Sequence, residues 1–343
     1  MLNKKIKSIL AMLLVLCLTM GLVACGSSGA KDNVTDSGAT NSGQTSETKD
    51  NNDGESETAE FALLVKTFAN ESQQNLKRGM EEAAEKLGVK VDMYATNTED
   101  DVEGQVALLE NLITKGYKGI VISPITPDNL NSAIADATAK GIYIVNVDEQ
   151  INIEGLRALG GSVYAFVASD NVKVGKTGGQ YLVEQMGGSG QVVIIEGKAG
   201  AVSGEDRRDG AALAFEEASG IELVSVQPAD WDRTKAYDVA TNLLSKSPDL
   251  KGIYCCNDVM AMGALEAVKN ANRDVLVVGT DGNSDAVDSV KAGELTATVA
   301  QDSAGMGARA VEVLVRAVNE NKPIDINADP TFEAVDAYLV TKD

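Results

Sequence analysis

Polar side chains recur in this sequence at one kind of place, directly after a short apolar run. VLVVGTDG (275–282) ends in Asp281 between glycines, and GIYIVNVD (141–148) ends in Asp148. GIYCCND (252–258) ends in Asn257 and Asp258, and TATVAQD (296–302) in Gln301 and Asp302. FALLVKTFAN (61–70) carries Lys66 and Asn70 near its end, and SVQPADWD (225–232) carries Asp230 and Trp231. Carboxylates there accept hydrogen bonds from ligand hydroxyls, each such charge-assisted bond contributing about 1.5–3 kcal/mol. Amides such as Asn257 and Gln301 both donate and accept, which suits hydroxyls that do the same. The indole of Trp231, the only tryptophan, offers a face to the apolar C–H side of a sugar ring. Arg207 and Arg208 open a predicted helix, where a guanidinium turned to the cleft is a polydentate donor. The structural alternatives are plain: Asp148 and Asp281 as helix caps, Trp231 as core, the arginines as solvated charges. Asp148 and Asp281 also admit reading as an acid–base pair of a sugar-cleaving enzyme.

Other chemistries are excluded or weakened by what is missing. The chain has no histidine, so a Ser-His-Asp triad, a Cys-His pair and histidine metal sites are out. Val174-Gly175-Lys176-Thr177 resembles the tail of a P-loop, but Asp170 stands where the first glycine belongs. Gly187-Gly188-Ser189-Gly190 follows a helix and reads as a turn rather than a dinucleotide loop. Asp281–Asp285 begins like an EF-hand loop but has Ala292 where the bidentate glutamate belongs. No metal and no cofactor are expected. A net charge of −21 argues against nucleic acid as a partner. Cys255 and Cys256 are neighbours on a strand, point to opposite faces and read as buried small residues.

An apolar run that stops abruptly in a polar residue reads as a buried parallel strand, and in open α/β sheets ligands sit at the carboxyl ends of such strands. Strand and helix signals alternate strictly after residue 60. The spacing predicts, among others, a helix over Ser72–Leu87 with Leu76, Met80, Ala83, Ala84 and Leu87 on one face. Thr126-Pro127 is expected to start a helix, residues 149–163 to form a long connection, and Phe332–Val340 to be one last strand. The alternation defines α/β architecture with two doubly wound parallel-sheet lobes, since 343 residues exceed one ordinary core. Residues 1–24 read as a signal peptide: Lys4, Lys5 and Lys7 precede the apolar Ile9–Val23, which ends in Leu22-Val23-Ala24-Cys25. That ending resembles a lipobox, with Cys25 lipidated. Residues 25–60 are Gly, Ser, Thr, Asn and Asp with few large apolar groups and read as a flexible tether.

LVKTFAN, GIYIVNVDEQINIEG, AFVASDN, IIEGKAG, SGEDRRDGA, QPADWDR, YCCNDVMAMGA, VVGTDG and TATVAQ occur in this order along the chain. Together they resemble the sugar-binding proteins of ABC transporters, of the ribose and D-allose type. The resemblance runs from about Phe61 to the C-terminus. It implies the type I periplasmic-binding-protein fold, with three hinge strands crossing near Ser169, Gln301–Asp302 and Val335. The lobes would then be 61–168 with 302–334, and 169–301 with 335–343. The family's ligand contacts fall on Lys66, Asn70, Asp148, Trp231, Asn257, Asp281 and Gln301. Its arginine falls on Arg207 by spacing to Gly210, or on Arg208 by spacing to Pro228. Glu149 stands where ribose binders have Arg and allose binders Glu. The family follows its asparagine with Pro and two aromatics that stack on the sugar, whereas Asn70 is followed by Glu71, Ser72 and Gln73. Either the ligand is not a simple pyranose, or polar groups replace the stacking. The resemblance implies a monomeric, extracytoplasmic lipoprotein that captures a monosaccharide or related polyol for an ABC permease. A sugar sensor for a chemotaxis or histidine-kinase partner is the alternative.

Overall fold

A computed structural model describes residues 59–343. The leader, Cys25 and nearly all of the tether lie outside the described residues. β1 (Phe61–Thr67), β2 (Val91–Thr96), β3 (Gly119–Ile122), β4 (Tyr143–Val147), β5 (Ala165–Ala168) and β11 (Thr331–Ala334) form one sheet, in the order β11-β5-β4-β3-β1-β2. β6 (Ser189–Glu196), β7 (Gly220–Pro228), β8 (Leu250–Cys255), β9 (Leu276–Asp281), β10 (Ala297–Gln301) and β12 (Ala337–Val340) form the other, in the order β12-β10-β9-β8-β6-β7. Neighbouring strands are parallel except β12, which runs antiparallel to β10.

Each sheet is covered on both faces, so its central strands, such as β1, β3 and β4, are buried along nearly their whole length. Along β1, Leu63 and Val65 enter one core with Leu76 and Met80 of α1 (Glu71–Leu87) and Met306, Val311 and Leu314 of α10 (Ser303–Glu320). The alternate residues Ala62 and Leu64 enter the other, with Leu109 and Leu112 of α2 (Val102–Lys115), Ile134 of α3 (Asn131–Ala139) and Leu156 of α4 (Ile153–Ala158). The second sheet packs α5 (Asn171–Gln185), α6 (Val202–Glu217), α7 (Arg233–Lys246), α8 (Asp258–Asn270) and α9 (Ser284–Ala292) around one continuous core. A Cβ on Gly175 would lie 2.0 Å from the Arg207 carbonyl oxygen, and one on Gly210 2.0 Å from that of Val172. The glycine that imitated a P-loop therefore lets α5 and α6 touch, which fixes the helix bearing Arg207. Cys255 and Cys256 are both buried and free, and burial pushes the Cys256 thiol up to about 12.

The chain passes between the sheets three times, at 169–170, at Asp302 and at 335–336. The last passage corrects the expectation of one strand over Phe332–Val340: β11 belongs to the first sheet and β12 to the second. The helix expected at Thr126 starts at Asn131 instead. Thr126 and Asn129 close a reciprocal turn, Thr126 N donating to Asn129 Oδ1 at 3.0 Å and Asn129 N to Thr126 Oγ1 at 3.2 Å. The connection over 149–163 contains α4, capped by Asn152 Oδ1, which accepts from Gly155 N at 3.1 Å.

Candidate functional site

The carboxyl ends of both sheets open onto one cavity of about 370 Å³. Lys66, Asn70 and Asp148 reach it from the first lobe. Arg207, Trp231, Asn257 and Asp281 reach it from the second, and Gln301 from the end of β10 next to a crossing.

On the first lobe the Asp148 carboxylate is the focus. Its Oδ2 pairs with Lys66 Nζ at 3.1 Å and accepts from Gln73 Nε2 at 3.1 Å and Ser123 Oγ at 3.2 Å. Burial acts most strongly and would raise its pKa, but the Lys66 ammonium with its hydrogen bond, Arg207 and the Gln73 bond together outweigh that and hold it below the usual carboxylate range. Burial likewise works against the Lys66 charge, yet Asp148 and Glu149 overcome it and the ammonium titrates above its ordinary value. Asn70 caps α1, its Oδ1 accepting from Gln73 N at 2.8 Å, while its Nδ2 donates to Glu99. Burial raises the Glu99 pKa, with Lys66 opposing and Asp148 adding to the rise.

On the second lobe Arg207 is buried and four of its five N–H donors are directed. Nη1 donates to Asp281 Oδ1 at 3.0 Å and to the Cys256 carbonyl at 2.8 Å, Nε to Asn171 Oδ1 at 2.9 Å, and Nη2 to Gln301. Asp281 is pushed up to about 6, by burial first, with Arg207 opposing and Asp148 assisting. Behind it, buried Asp258 accepts from Gly282 N at 2.7 Å, Asn283 N at 2.8 Å and Thr298 Oγ1 at 2.7 Å, fixing the turn that presents Asp281. Asn257 caps α8 through Oδ1, which accepts from Met260 N at 2.9 Å. That bond commits its oxygen and leaves its NH₂ group for the cavity. Trp231 is seated against Gly197 and Gly204. A Cβ on Gly197 would lie 2.1 Å from the indole, so only the bare backbone admits the ring.

Arg208 does not line this cavity. It pairs with Glu196 at 3.1 Å and Asp209 at 2.7 Å, facing a separate small recess. Of the two arginines that the sequence left open, Arg207 lines the cavity and Arg208, contrary to expectation, does not. The buried face of α6 carries Ser203, Gly204, Arg207, Gly210, Ala211, Ala214 and Phe215. That is a helical stripe of small and apolar residues, with Arg208 one step off it. The spacing contained the answer. Glu99, Asn97 and Thr98 also line the cavity. They went unnoticed although they follow β2 by the same rule as the others. Ser72 and Gln73 line it as well, in the place of the family's aromatics.

Two sheets of this topology, three crossings and a polar cavity at their facing carboxyl edges define a two-lobed binding protein. The chain belongs to the periplasmic binding protein domain family, which it matches over residues 61–322. It is 49% identical over 287 residues to the D-allose-binding periplasmic protein of Escherichia coli (strain K12), covering 83% of this chain and 92% of that protein. It is 35% identical over 264 residues to the ribose import binding protein RbsB of Bacillus subtilis (strain 168), covering 77% and 83%. Among solved structures it resembles an ABC transporter periplasmic solute binding protein from Actinobacillus succinogenes 130z with bound D-allose. The TM-score is 0.77 at 33% identity, over 83% of this chain and 98% of that one. An ABC transporter solute binding protein from Agrobacterium vitis with bound D-fucose gives 0.73 at 27% identity, over 82% and 95%.

Proposed function

We propose that this protein captures a monosaccharide, an allose- or ribose-like aldose or a related polyol, and delivers it to an ABC permease. The observation that carries this reading is the cavity wall. Carboxylates, an ammonium, a guanidinium, several amides and one indole converge from two hinged lobes, in a chain of this family. Hydroxyls find paired acceptors and donors there, and the indole covers a C–H face. Lobe closure around the ligand produces the surface a permease reads, by shifting an open–closed equilibrium. The family is one of substrate-binding proteins, which displaces the enzyme reading. Asp148 is paired with Lys66 at 3.1 Å and Asp281 with Arg207 at 3.0 Å. Ligand-induced change in the fluorescence of Trp231, run with calorimetry against aldoses, ketoses and polyols, tests the class. Absence of binding to every member overturns it.

The leader supports extracytoplasmic placement with Cys25 as the lipid-bearing residue. More than one acyl chain on that cysteine would hold the protein stably at the membrane. Among the described residues no helix is long and apolar enough to cross a membrane. Cys25→Ala is expected to move the protein from the membrane fraction to the soluble one; retention in the membrane would refute the anchor.

A further inference from the structure

Two helices of the second lobe begin without a side-chain cap of their own. Ala201 precedes α6, and Asn283 precedes α9 without making a capping bond. In the same lobe α5, α7 and α8 are capped by Asp170, Asp232 and Asn257. First-turn N–H groups need acceptors, and here the first lobe supplies them. Glu149 Oε1 accepts from Val202 N at 2.7 Å and Ser203 N at 3.4 Å, and its Oε2 from Ser203 Oγ at 2.8 Å. The Glu71 carboxylate accepts from Ser284 N at 3.1 and 3.2 Å and from Ser284 Oγ at 2.8 Å. Glu71 also opens α1, so its charge meets the positive ends of two helices from different lobes.

We propose that Glu71 and Glu149 are positioning residues that hold the lobes closed, each completing a helix cap across the cleft. The inference rests on reading the molecule as a hinged binding protein. Opening the lobes breaks both caps, so part of the drive to close belongs to the protein rather than to the ligand. The closed form is accordingly populated before ligand arrives, and release is slowed by bonds that never touch the ligand. Glu71 provides the cleaner test, because Glu149 also lies 3.7 Å from Lys66 while Glu71 is not part of the cavity wall.

Glu71→Ala removes the acceptor. Ser284→Pro removes both donors at the first helical position, where proline is well tolerated. Asn283 already has φ −59° and ψ 147°, the conformation a residue before proline prefers. Small-angle scattering of the full ligand-free chain reads the balance of open and closed forms, and stopped-flow Trp231 fluorescence reads the release of D-allose. Both variants are expected to shift scattering toward the open form and to speed release about fivefold, the worth of one typical cap. The double variant should match either single one, since both remove one interaction. Unchanged scattering in both variants overturns the proposal. Ser284→Ala, which removes only the hydroxyl, keeps the test open should the proline variant not fold. If the wild-type chain fails to bind any sugar, the functional reading falls, while scattering still decides this one.

Discussion

Acidification from pH 7.5 to pH 5 is expected to weaken ligand binding roughly tenfold, and Asp281 is the reason. Its carboxyl titrates at about 6 in the ligand-free fold, because burial and Asp148 together exceed the help of Arg207. A ligand hydroxyl donates to the ionised form, so below pH 6 binding must first expel a proton. For a group at about 6 that cost is negligible at pH 7.5 and reaches roughly a factor of ten at pH 5. Asp148 is held low and stays ionised throughout, so it adds no slope. Glu99 is raised and adds slope of the same sign if the ligand also donates to it. Trp231 in the cavity wall is the only tryptophan, which makes titration of its emission with D-allose across this range the direct assay. Asp281→Asn should bind more weakly at pH 7.5 and lose the pH dependence. Stability of the ligand-free chain runs the other way. A carboxyl raised above its ordinary value of 3.8 contributes stability that is complete below that value and lost as pH rises through about 6. Its contribution to the ligand-free Tm therefore rises on acidification, while the increment conferred by ligand shrinks. Affinity that is flat or tighter at pH 5 would refute the reasoning.

The two neighbouring arginines should behave oppositely. Arg207→Ala strands buried Asp281, Asn171 and the Cys256 carbonyl, and should weaken binding at least ~100-fold and cost about 3 kcal/mol in denaturant unfolding. Arg208→Ala removes only partly exposed pairs and should leave affinity within about twofold in the same calorimetric measurement. Gly197→Ala forces a methyl into the indole, so Trp231 emission should shift and binding weaken about tenfold without any ligand contact being deleted. Asp258→Ala removes the acceptor of the Asn283 N–H and of the Thr298 hydroxyl and leaves the Gly282 N–H only a 3.3 Å bond to Thr298 Oγ1, and should cost about 2–4 kcal/mol in urea unfolding.

Much of this architecture is written locally. An apolar run ending in an acid encodes both a doubly covered strand and the cleft position of its last residue, so Asp148, Asn257 and Asp281 could be placed from pattern alone. What could not be placed depends on long-range partners. The pattern of 332–340 is continuous, and only the pairing of β11 with β5 and β12 with β10 breaks it at Val335–Asp336. The Thr126-Pro127 signal is a sound helix start, but Asn129 captures Thr126 in a turn and ties it to Gln105 through a 2.9 Å bond. Glu149 and Glu71 carry no local sign of their roles, because the helices they cap are far along the chain.

Three residues of the cavity wall pay for their placement in backbone energy. Asp148 has φ +67°, Trp231 +63° and Asp281 +119°, a region that costs non-glycine residues about 1–2 kcal/mol each. Glycine at any of these positions would relieve the strain but remove a side chain that lines the cavity. Asp148 directly follows β4 and Asp281 ends β9, whereas Trp231 lies in the turn between β7 and α7. The surroundings hold the strain in place: Lys66, Gln73 and Ser123 on Asp148, Gly197 beneath Trp231, Arg207 on Asp281 with Asp258 behind its turn. The groups that receive the ligand are thus set before it arrives. What remains for the ligand to move is the hinge, and it acts there together with Glu71 and Glu149 rather than alone.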